Sequence, residues 1–206
     1  MLFIIIDMDY ISVIKDKLKE EHKEKPNNVI YVTDLVTCQA LRQFYIESED
    51  DSAQLHGKLI HNSVESIFSQ GKCDTEVSVV YKLDNFSIVG RLDMLCGDEV
   101  VEIKTTKDLK LHHLYQLLIY MYMLRKNNGV LLYINPSGFK QYNVVNNYDG
   151  LVRVEDNATH EVKVYIIKID DDFLRSLINL YSKGELYAQF NQCFSCYFRS
   201  QCDFRK

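Results

Sequence analysis

The sequence contains no tryptophan, only two prolines in 206 residues, and no apolar run near the ~20 residues that a membrane-spanning helix needs. The missing run excludes a transmembrane helix. Positive charge is not in excess either, because 24 basic residues face 29 acidic ones and leave a net charge of −5. A protein that coats nucleic acid non-specifically is normally basic, so any nucleic-acid contact must be local. Repeats and low-complexity linkers are also missing, which favours one domain over residues 1–206.

The first residues, MLFIIIDMDY, have no basic stretch before the apolar run and no small-residue cleavage site. They therefore do not match a signal peptide, and we expect a cytoplasmic protein without a membrane partner.

Periodicity and turn residues predict an α/β protein in which a sheet is layered by helices. Helices are expected over 9–24, 33–46 (with Thr33 as N-cap), 56–68, 111–126 and 171–183. Strands are expected over 75–96 (with a turn at Asn85), 99–105, 130–136 and 163–169, the last two of buried type. The segment Asn127-Asn128-Gly129 is expected to end the fourth helix. The polar, Asn-rich stretch 141–160 is expected to be a loop or a hairpin insert.

The segment GRLDMLCGDEVVEIKTT, from Gly90 to Thr106, carries charges where a hairpin beside a core carries apolar residues. Glu102 and Lys104 are two apart and share a strand face, while Asp93 lies within reach on the preceding strand. Converging carboxylates are costly unless a cation lies between them, and hard oxygen ligands suit Mg²⁺ or Mn²⁺. An ammonium beside that metal can orient water or offset negative charge. The alternative is a surface hairpin with a Glu–Lys pair.

Two helices carry polar pairs at i, i+4 spacing that face the same way. His61 and Glu65 form the first pair; His61 is either a nitrogen ligand that favours Mn²⁺ or a hydrogen-bonded helix histidine. Gln116 and Tyr120 form the second pair. They are either a buried amide and phenol with local hydrogen-bond partners, or they contact DNA or the Lys104 end of the site. Candidate DNA contacts near these motifs are a basic track and two aromatic rings that could stack on bases: Lys58, Arg91, Lys107, Lys110, Tyr115 and Tyr120.

Taken in order, these motifs resemble the RecB-type branch of the PD-(D/E)XK nucleases. The order is His61, then G-x-x-D from Gly90 to Asp93, E-x-K from Glu102 to Lys104, and Q-x₃-Y from Gln116 to Tyr120. The resemblance implies a restriction-endonuclease-like core with a central mixed sheet flanked by helices. It further implies a metal on His61, Asp93, Glu102 and the main-chain carbonyl of Ile103, catalysis by Asp93, Glu102 and Lys104, and a motif completed by Gln116 and Tyr120.

Four of the six cysteines are grouped in a way that favours metal binding over disulfides in a reducing cytoplasm. Cys193, Cys196 and Cys202 form C-x₂-C-x₅-C, and Cys38 is the best candidate for a fourth thiolate. Spacing leaves zinc and an iron–sulfur cluster open. Cys73 and Cys96 are expected to be unpaired thiols without a role.

One cysteine before the nuclease motifs and three after them resemble the iron–sulfur nucleases, in particular the fourth CRISPR-associated (Cas) protein family. The stretch YVTDLVTC matches that family's approach to its first cysteine. The resemblance implies a structural 4Fe-4S cluster on Cys38, Cys193, Cys196 and Cys202, which joins the N-terminal region to the tail 190–206. This sequence departs from many relatives at Gln39-Ala40-Leu41-Arg42, where they have Pro-Arg-Arg, and at Asp203, where they have Pro.

The resemblance implies a Mn²⁺- or Mg²⁺-dependent exonuclease that degrades single-stranded DNA from a 5′ end and also cuts internally. CRISPR adaptation and DNA processing in a mobile element are the settings it suggests. Two other classes stay open: an adaptor that docks to a CRISPR integrase, and a zinc-stabilised DNA-binding module whose acidic hairpin is structural. Bound iron and sulfide would exclude the last of these. The sequence does not fix the oligomeric state.

Overall fold

The structure, a computed structural model, describes residues 26–41, 52–71 and 73–185, and residues 190, 192, 193, 196, 199, 200, 202 and 203. The helix expected over 9–24 lies outside the described residues, as do the last residues of the helix expected over 33–46. No helix within the described ranges is long and apolar enough to cross a membrane.

Within the described residues, eight strands form one sheet and four helices accompany it. The strands are β1 (Val29–Tyr31), β2 (Asp74–Leu83), β3 (Phe86–Cys96), β4 (Glu99–Lys104), β5 (Asn128–Asn135), β6 (Gly138–Asn146), β7 (Leu151–Asp156) and β8 (Val162–Ile166). The helices are α1 (Val32–Val36), α2 (Ser52–Phe68), α3 (Leu111–Leu124) and α4 (Asp171–Ser182).

The sheet is mixed, in the order β1-β3-β4-β5-β6-β7-β8, with β2 paired to β3. The pairs β1·β3 and β4·β5 are parallel, and the other pairs are antiparallel. Helix α3 is the crossover between the parallel strands β4 and β5, because parallel neighbours cannot be joined by a tight turn and need a longer connection. The expected α/β class with a central mixed sheet is therefore confirmed.

Apolar side chains cover both faces of the sheet, so helices pack on either side of it. The larger cluster contains the inward side chains of α1, α3 and α4, such as Leu35, Leu117 and Leu174. The smaller cluster joins Met94, Ile103 and neighbouring sheet residues to Val64 and Phe68 of α2. Helix α2 therefore approaches β3 and β4 from the opposite face, which brings its polar side chains to the end of these strands.

Of the two structures expected for the stretch 141–160, a loop or a hairpin insert, the structure shows a hairpin: the stretch supplies most of β6 and all of β7, which pair antiparallel. The hairpin belongs to the central sheet rather than being an insert. Its sequence is polar because one face of this half of the sheet is open to water, so polar side chains alternate with buried ones such as Val144 and Val152. Strand β8, expected to be of buried type, is the edge strand, and its Val164 and Ile166 are exposed.

Helix boundaries differ from expectation at two places that matter for the sites. Helix α1 begins after Tyr31 rather than at Thr33, because the Asp34 carboxylate accepts the Tyr31 backbone N–H at 3.0 Å. The helix stops at Thr37, whose backbone is extended, so that Cys38 follows a break rather than lying inside a helix. Helix α3 ends at Arg125 in a left-handed conformation, and Asn128 already belongs to β5.

Cys73 and Cys96 are not unpaired thiols: they form a disulfide with a Cα–Cα distance of 4.3 Å. Asp74 pairs with Leu95 across the β2–β3 ladder, so the next pair outward brings the two cysteines opposite each other. Spacing along the chain did not indicate this, because the contact depends on strand register.

Candidate active site

Along one edge of strand β3 the pairing with neighbouring strands is interrupted, and the candidate site lies at this gap in β3. Residues 87–89 of β3 pair with β1, and residues 94–96 pair with β4, so the stretch between them meets neither strand. Asp93 and Glu102 lie immediately beyond the last β3–β4 pair, Met94 with Val101. Instead of a β3 carbonyl, the backbone N–H of Ile103 meets Asp93 Oδ2 at 2.6 Å. The opening of the ladder thus lets side chains converge between two strands.

One part of the site is a group of three possible metal ligands. Ligand atoms of His61, Glu65 and Asp93 all lie within 4.8 Å of one another. His61 and Glu65 are one turn apart on α2, and His61 Nδ1 lies 3.1 Å from Asp93 Oδ1. Burial lowers the pKa of His61, but the hydrogen bond and charge of Asp93 outweigh it, so the pKa is raised above its ordinary value.

The other part of the site is a hydrogen-bonded triad at the end of β4. Lys104 Nζ donates to Glu102 Oε1 at 2.7 Å and to Gln116 Oε1 at 2.9 Å. Gln116 Nε2 also donates to Glu102 Oε1, at 2.6 Å. The Lys104 side chain is 15% exposed and that of Glu102 is 3% exposed. The amide on α3 therefore orients both members of the E-x-K pair, and the ammonium stays within reach of solvent.

Two buried carboxylate oxygens in the site have no hydrogen-bond partner among the described residues: Glu65 Oε1 and Glu102 Oε2. Burial, with the charges of Glu76 and Asp93, raises the pKa of Glu65 to about 7. Burial, with the charge of Asp93, raises the pKa of Glu102 to about 7, despite the opposing effect of Lys104. Buried carboxylates without partners are costly. A divalent cation would supply the positive charge that these oxygens lack, so the donor set fits a hard metal ion.

Glu65 is the residue that sequence reasoning missed. The i, i+4 spacing placed it on the same face as His61, but the sequence assigned it no role. Its contribution depends on how α2 docks against β3. On the neighbouring strand β2, the register skips Glu76 between the pairs Thr75–Met94 and Val77–Leu92, and Glu76 has φ at 53°, a left-handed backbone conformation that is uncommon outside glycine.

Tyr120 has a structural place beneath the gap. Its hydroxyl donates at 3.3 Å to the carbonyl of Arg91, on the stretch of β3 that meets neither β1 nor β4. A Cβ at Gly90 would lie 2.2 Å from Cε1 of Tyr120, so the glycine of G-x-x-D makes room for the ring. Tyr120 is only 2% exposed. The expectation that its ring stacks on a base is therefore wrong, because the ring is enclosed by the core.

The other expected DNA contacts have varied surroundings. Arg91 Nε lies 2.5 Å from Glu76 Oε2 on the surface. The Tyr115 ring is half-buried and packs against Phe173 and Phe190, with centroids 5.6 and 4.2 Å away. Lys107 and Lys110 lie on the loop between β4 and α3, and Lys58 lies on α2.

The four cysteines singled out in the sequence lie together. Cys38, Cys193, Cys196 and Cys202 line one small cavity, and none of the four forms a disulfide. Gln192 connects the two ends of the chain: its Oε1 accepts the Cys38 backbone N–H at 2.8 Å, and its Nε2 donates to the Val36 carbonyl. This buried glutamine was not recognised in the sequence, because its partners are more than 150 positions away.

Comparison with known proteins agrees with the geometry of the carboxylate site. The model of the PD-(D/E)XK nuclease superfamily matches residues 65–145, which include Glu65, Asp93, Glu102, Lys104 and Gln116. The mixed sheet, the gap in β3 and this match define a nuclease.

The CRISPR-associated exonuclease Cas4 of Saccharolobus solfataricus (strain ATCC 35092 / DSM 1617 / JCM 11322 / P2) is 30% identical over 156 residues, covering 64% of this chain and 76% of the relative. The crystal structure of SSO0001 superposes with a TM-score of 0.66 at 24% identity, over 95% of this chain and 96% of the other, which shows the shared fold. The chain belongs to the Cas4 exonuclease family of the PD-(D/E)XK superfamily, as the sequence motifs indicated.

Proposed function

We propose that this nuclease is a divalent-metal-dependent exonuclease that hydrolyses single-stranded DNA. The observation that carries the proposal is the convergence of His61, Glu65 and Asp93, with ligand atoms within 4.8 Å of one another. Beside it, Glu65 Oε1 and Glu102 Oε2 are buried and have no hydrogen-bond partner among the described residues. The proposed metal ligands are His61, Asp93, Glu102 and the carbonyl of Ile103. To these the geometry adds Glu65, because its atoms lie in the same group as His61 and Asp93.

Each side chain of the site has its own role in the proposed hydrolysis. A divalent cation, when bound, supplies Lewis acidity toward a phosphate oxygen and lowers the pKa of water. Glu102 Oε1 holds Lys104, while its Oε2 is left available for the cation. Lys104, fixed by Gln116, presents a positive charge where negative charge develops on the phosphate, or orients the attacking water. His61 and Asp93 hold each other in place on adjoining elements.

The choice of single-stranded DNA, the 5′ to 3′ direction and additional internal cleavage come from the family resemblance. The Saccharolobus relative is an exonuclease by name, which supports cleavage from an end. The net charge of −5 is consistent with a substrate held locally at the site rather than coated over the surface.

The test is a cleavage assay on 5′-labelled, 3′-labelled and circular single-stranded DNA, with Mn²⁺, Mg²⁺ or EDTA. Wild type is expected to cleave only with metal, and Lys104→Ala to lose about 10²- to 10³-fold in rate, the usual effect of removing a group that stabilises transition-state charge. The two labels report direction, and the circle reports internal cleavage.

Lys82→Ala is the matched control, because Lys82 is exposed on β2 away from the gap. Wild-type rates in Lys104→Ala, or equal cleavage in EDTA, would contradict the proposed chemistry. A folded, metal-loaded wild type without any cleavage would favour the adaptor that docks to a CRISPR integrase, the alternative raised by the relative's CRISPR-associated name.

We also propose that Cys38, Cys193, Cys196 and Cys202 hold a 4Fe-4S cluster that closes a single domain over residues 1–206. Four thiolates are the usual ligands of such a cluster. Four thiolates also suit tetrahedral zinc, so the choice of the cluster comes from the family resemblance rather than from the cavity that the four cysteines line.

Metal and sulfide analysis of protein purified without oxygen tests this assignment. Four irons and four sulfides per chain, with a brown colour, are the expected result for one cubane cluster. A colourless protein with stoichiometric zinc would contradict it and would support a zinc-stabilised module.

A further inference from the structure

A second cavity, of about 550 Å³, lies beside the candidate active site. Its walls come from the loop that follows β4, from β8 and from the C-terminal tail. The residues that matter for its chemistry are Thr106, Lys107, Lys110, His112, Tyr165 and Phe190. Neither the metal ligands nor the cysteines line it.

The position of this cavity is set by the chain itself. Thr106 follows Lys104 by two residues, so the wall of the cavity begins where the E-x-K motif ends. The imidazole of His112 lies close enough to Lys104 to feel its charge. Burial, followed by the charges of Lys110 and Lys104, lowers the pKa of His112 to about 4, so the ring is neutral at pH 7.

The lining is positive at one part and aromatic at another. Lys107 and Lys110 supply two cations, while the carboxylate of Asp108 is paired with Lys140 at 2.7 Å. Tyr165 and Phe190 are half-buried rings on the other side. Thr106 Oγ1 is buried and has no hydrogen-bond partner among the described residues. Ammonium groups, aromatic faces and an unused hydroxyl together suit a ligand with a phosphate, a flat ring and polar ring edges.

We propose that this cavity binds one nucleotide of the DNA strand next to the scissile phosphate, with its phosphate at Lys107 and Lys110 and its base against Tyr165 and Phe190. The inference rests on the proposed function, since it assigns a place to the same substrate. A paired base would first have to lose its pairing and stacking, at a cost in free energy, so the cavity also gives a physical reason for a preference for single strands.

The experiment measures binding without cleavage. A short single-stranded DNA that carries 2-aminopurine at one position, moved along the strand in a series, is titrated with protein in EDTA. In wild type, fluorescence at one position relative to the bound end is expected to be quenched by stacking. Tyr165→Leu keeps apolar volume but removes the aromatic face, and is expected to weaken binding at least about fivefold and to abolish that quenching.

Lys107→Ala tests the phosphate interaction separately, and it alters an exposed side chain that does not support the fold. For each phosphate that the protein no longer neutralises, the slope of log affinity against log salt is expected to fall by about 0.7. Phe139→Leu, at an aromatic side chain 79% exposed near the β5–β6 turn, and Lys82→Ala are the matched controls and are expected to bind as wild type.

Binding, salt slope and quenching unchanged in both Tyr165→Leu and Lys107→Ala would overturn the assignment. If Tyr165→Leu did not fold, as judged by circular dichroism, the salt slope of Lys107→Ala would decide alone. Because EDTA prevents metal-dependent cleavage, the two proposals fail separately. If wild type did not cleave with metal but its binding in EDTA still depended on Tyr165, the nuclease mechanism would be contradicted and the nucleotide site retained. If wild type cleaved normally but Tyr165→Leu bound as tightly as wild type, the nucleotide site would be contradicted and the mechanism retained.

Discussion

The acidic centre and the group of four cysteines are assembled from different distances along the chain. The acidic centre takes its side chains from residues 61–116, on elements that pack against neighbouring strands of one sheet. The cysteine group joins Cys38 to the C-terminal tail, where Gln192, 154 positions away, contacts the Cys38 backbone. Strand register fixes the first site before any ion binds. The second is joined at its edge by the buried Gln192, and the proposed 4Fe-4S cluster would add to its cohesion. Under the proposed function the two groups have different duties: the acidic centre accumulates unfavourable charge for chemistry, and the cysteines serve stability.

The largest expected effect is on the cysteine side. Cys202→Ser removes a buried ligand and is expected to release iron and to lower the free energy of unfolding by more than about 4 kcal/mol, the range seen when a metal site is lost. Iron content and thermal unfolding measured without oxygen check this.

Cys73→Ser is the matched control, because it removes a cysteine of the disulfide instead. It is expected to cost about 2–4 kcal/mol and to retain all iron. A Cys202→Ser protein that keeps its iron and is as stable as wild type would contradict the claim that the cysteines serve stability.

In the acidic centre, by contrast, substitution should lower activity without lowering stability. Glu65→Gln is expected to lower Mn²⁺ affinity and cleavage by about 10- to 100-fold, because a carboxylate ligand becomes a neutral amide. The metal-free variant is expected to unfold at the same temperature as wild type or higher, since a buried carboxylate without a partner has been removed.

Glu76→Gln is the control for Glu65→Gln, because Glu76 is an exposed neighbour that lies outside the group of possible ligands. Equal Mn²⁺ affinity in Glu65→Gln and Glu76→Gln would show that Glu65 does not belong to the metal site.

The gap in β3 is expected to be sensitive to added volume. Gly90→Ala should destabilise the protein by about 1–3 kcal/mol, because its Cβ would fall 2.2 Å from the Tyr120 ring. Chemical denaturation measures this cost, and Tyr120→Leu should reduce it in the double variant. An equal cost with or without the Tyr120 ring would mean that the close approach is not the cause.

A smaller effect is the pH dependence of the metal-free protein. The pKa values of Glu65 and Glu102 are raised to about 7, and that of His61 is raised as well. The folded state then binds more protons than the unfolded state, so stability falls as pH rises from about 5 to about 8. Saturating Mn²⁺ should remove this decline, and thermal unfolding across this pH range with EDTA or Mn²⁺ measures it. A metal-free protein that gains stability over the same range would contradict the raised pKa values.

Local spacing was enough to predict the E-x-K pair, because alternation along β4 places Glu102 and Lys104 on one face whatever the rest of the fold does. For Gln116, one helix turn from Tyr120 on α3, spacing left a core amide and a contact with the Lys104 end of the site open, and the family resemblance favoured the second, which the structure shows. Spacing could not predict Glu65 as a group member, since that depends on the docking of α2, nor the disulfide of Cys73 and Cys96, which depends on the β2–β3 register.

Composition was a poor guide to burial where the sheet meets water. The polar segment 141–160 left a loop and a hairpin open, because β6 and β7 bury only one face. The apolar β8 was wrongly predicted to be buried, since Val162, Val164 and Ile166 are exposed at the edge. In both cases the tertiary position of the strand decided its burial, and the sequence of the strand alone did not.

The most direct test of the central claim is a titration of Mn²⁺ into EDTA-treated and dialysed protein, followed by electron paramagnetic resonance, for wild type and Asp93→Asn. Asp93 lies between His61 and the Ile103 backbone, so its charge can be removed with little change of shape. The account predicts tight binding in wild type and at least about tenfold weaker binding in Asp93→Asn. Equal affinity in the two proteins would show that the gap in β3 is not the metal site.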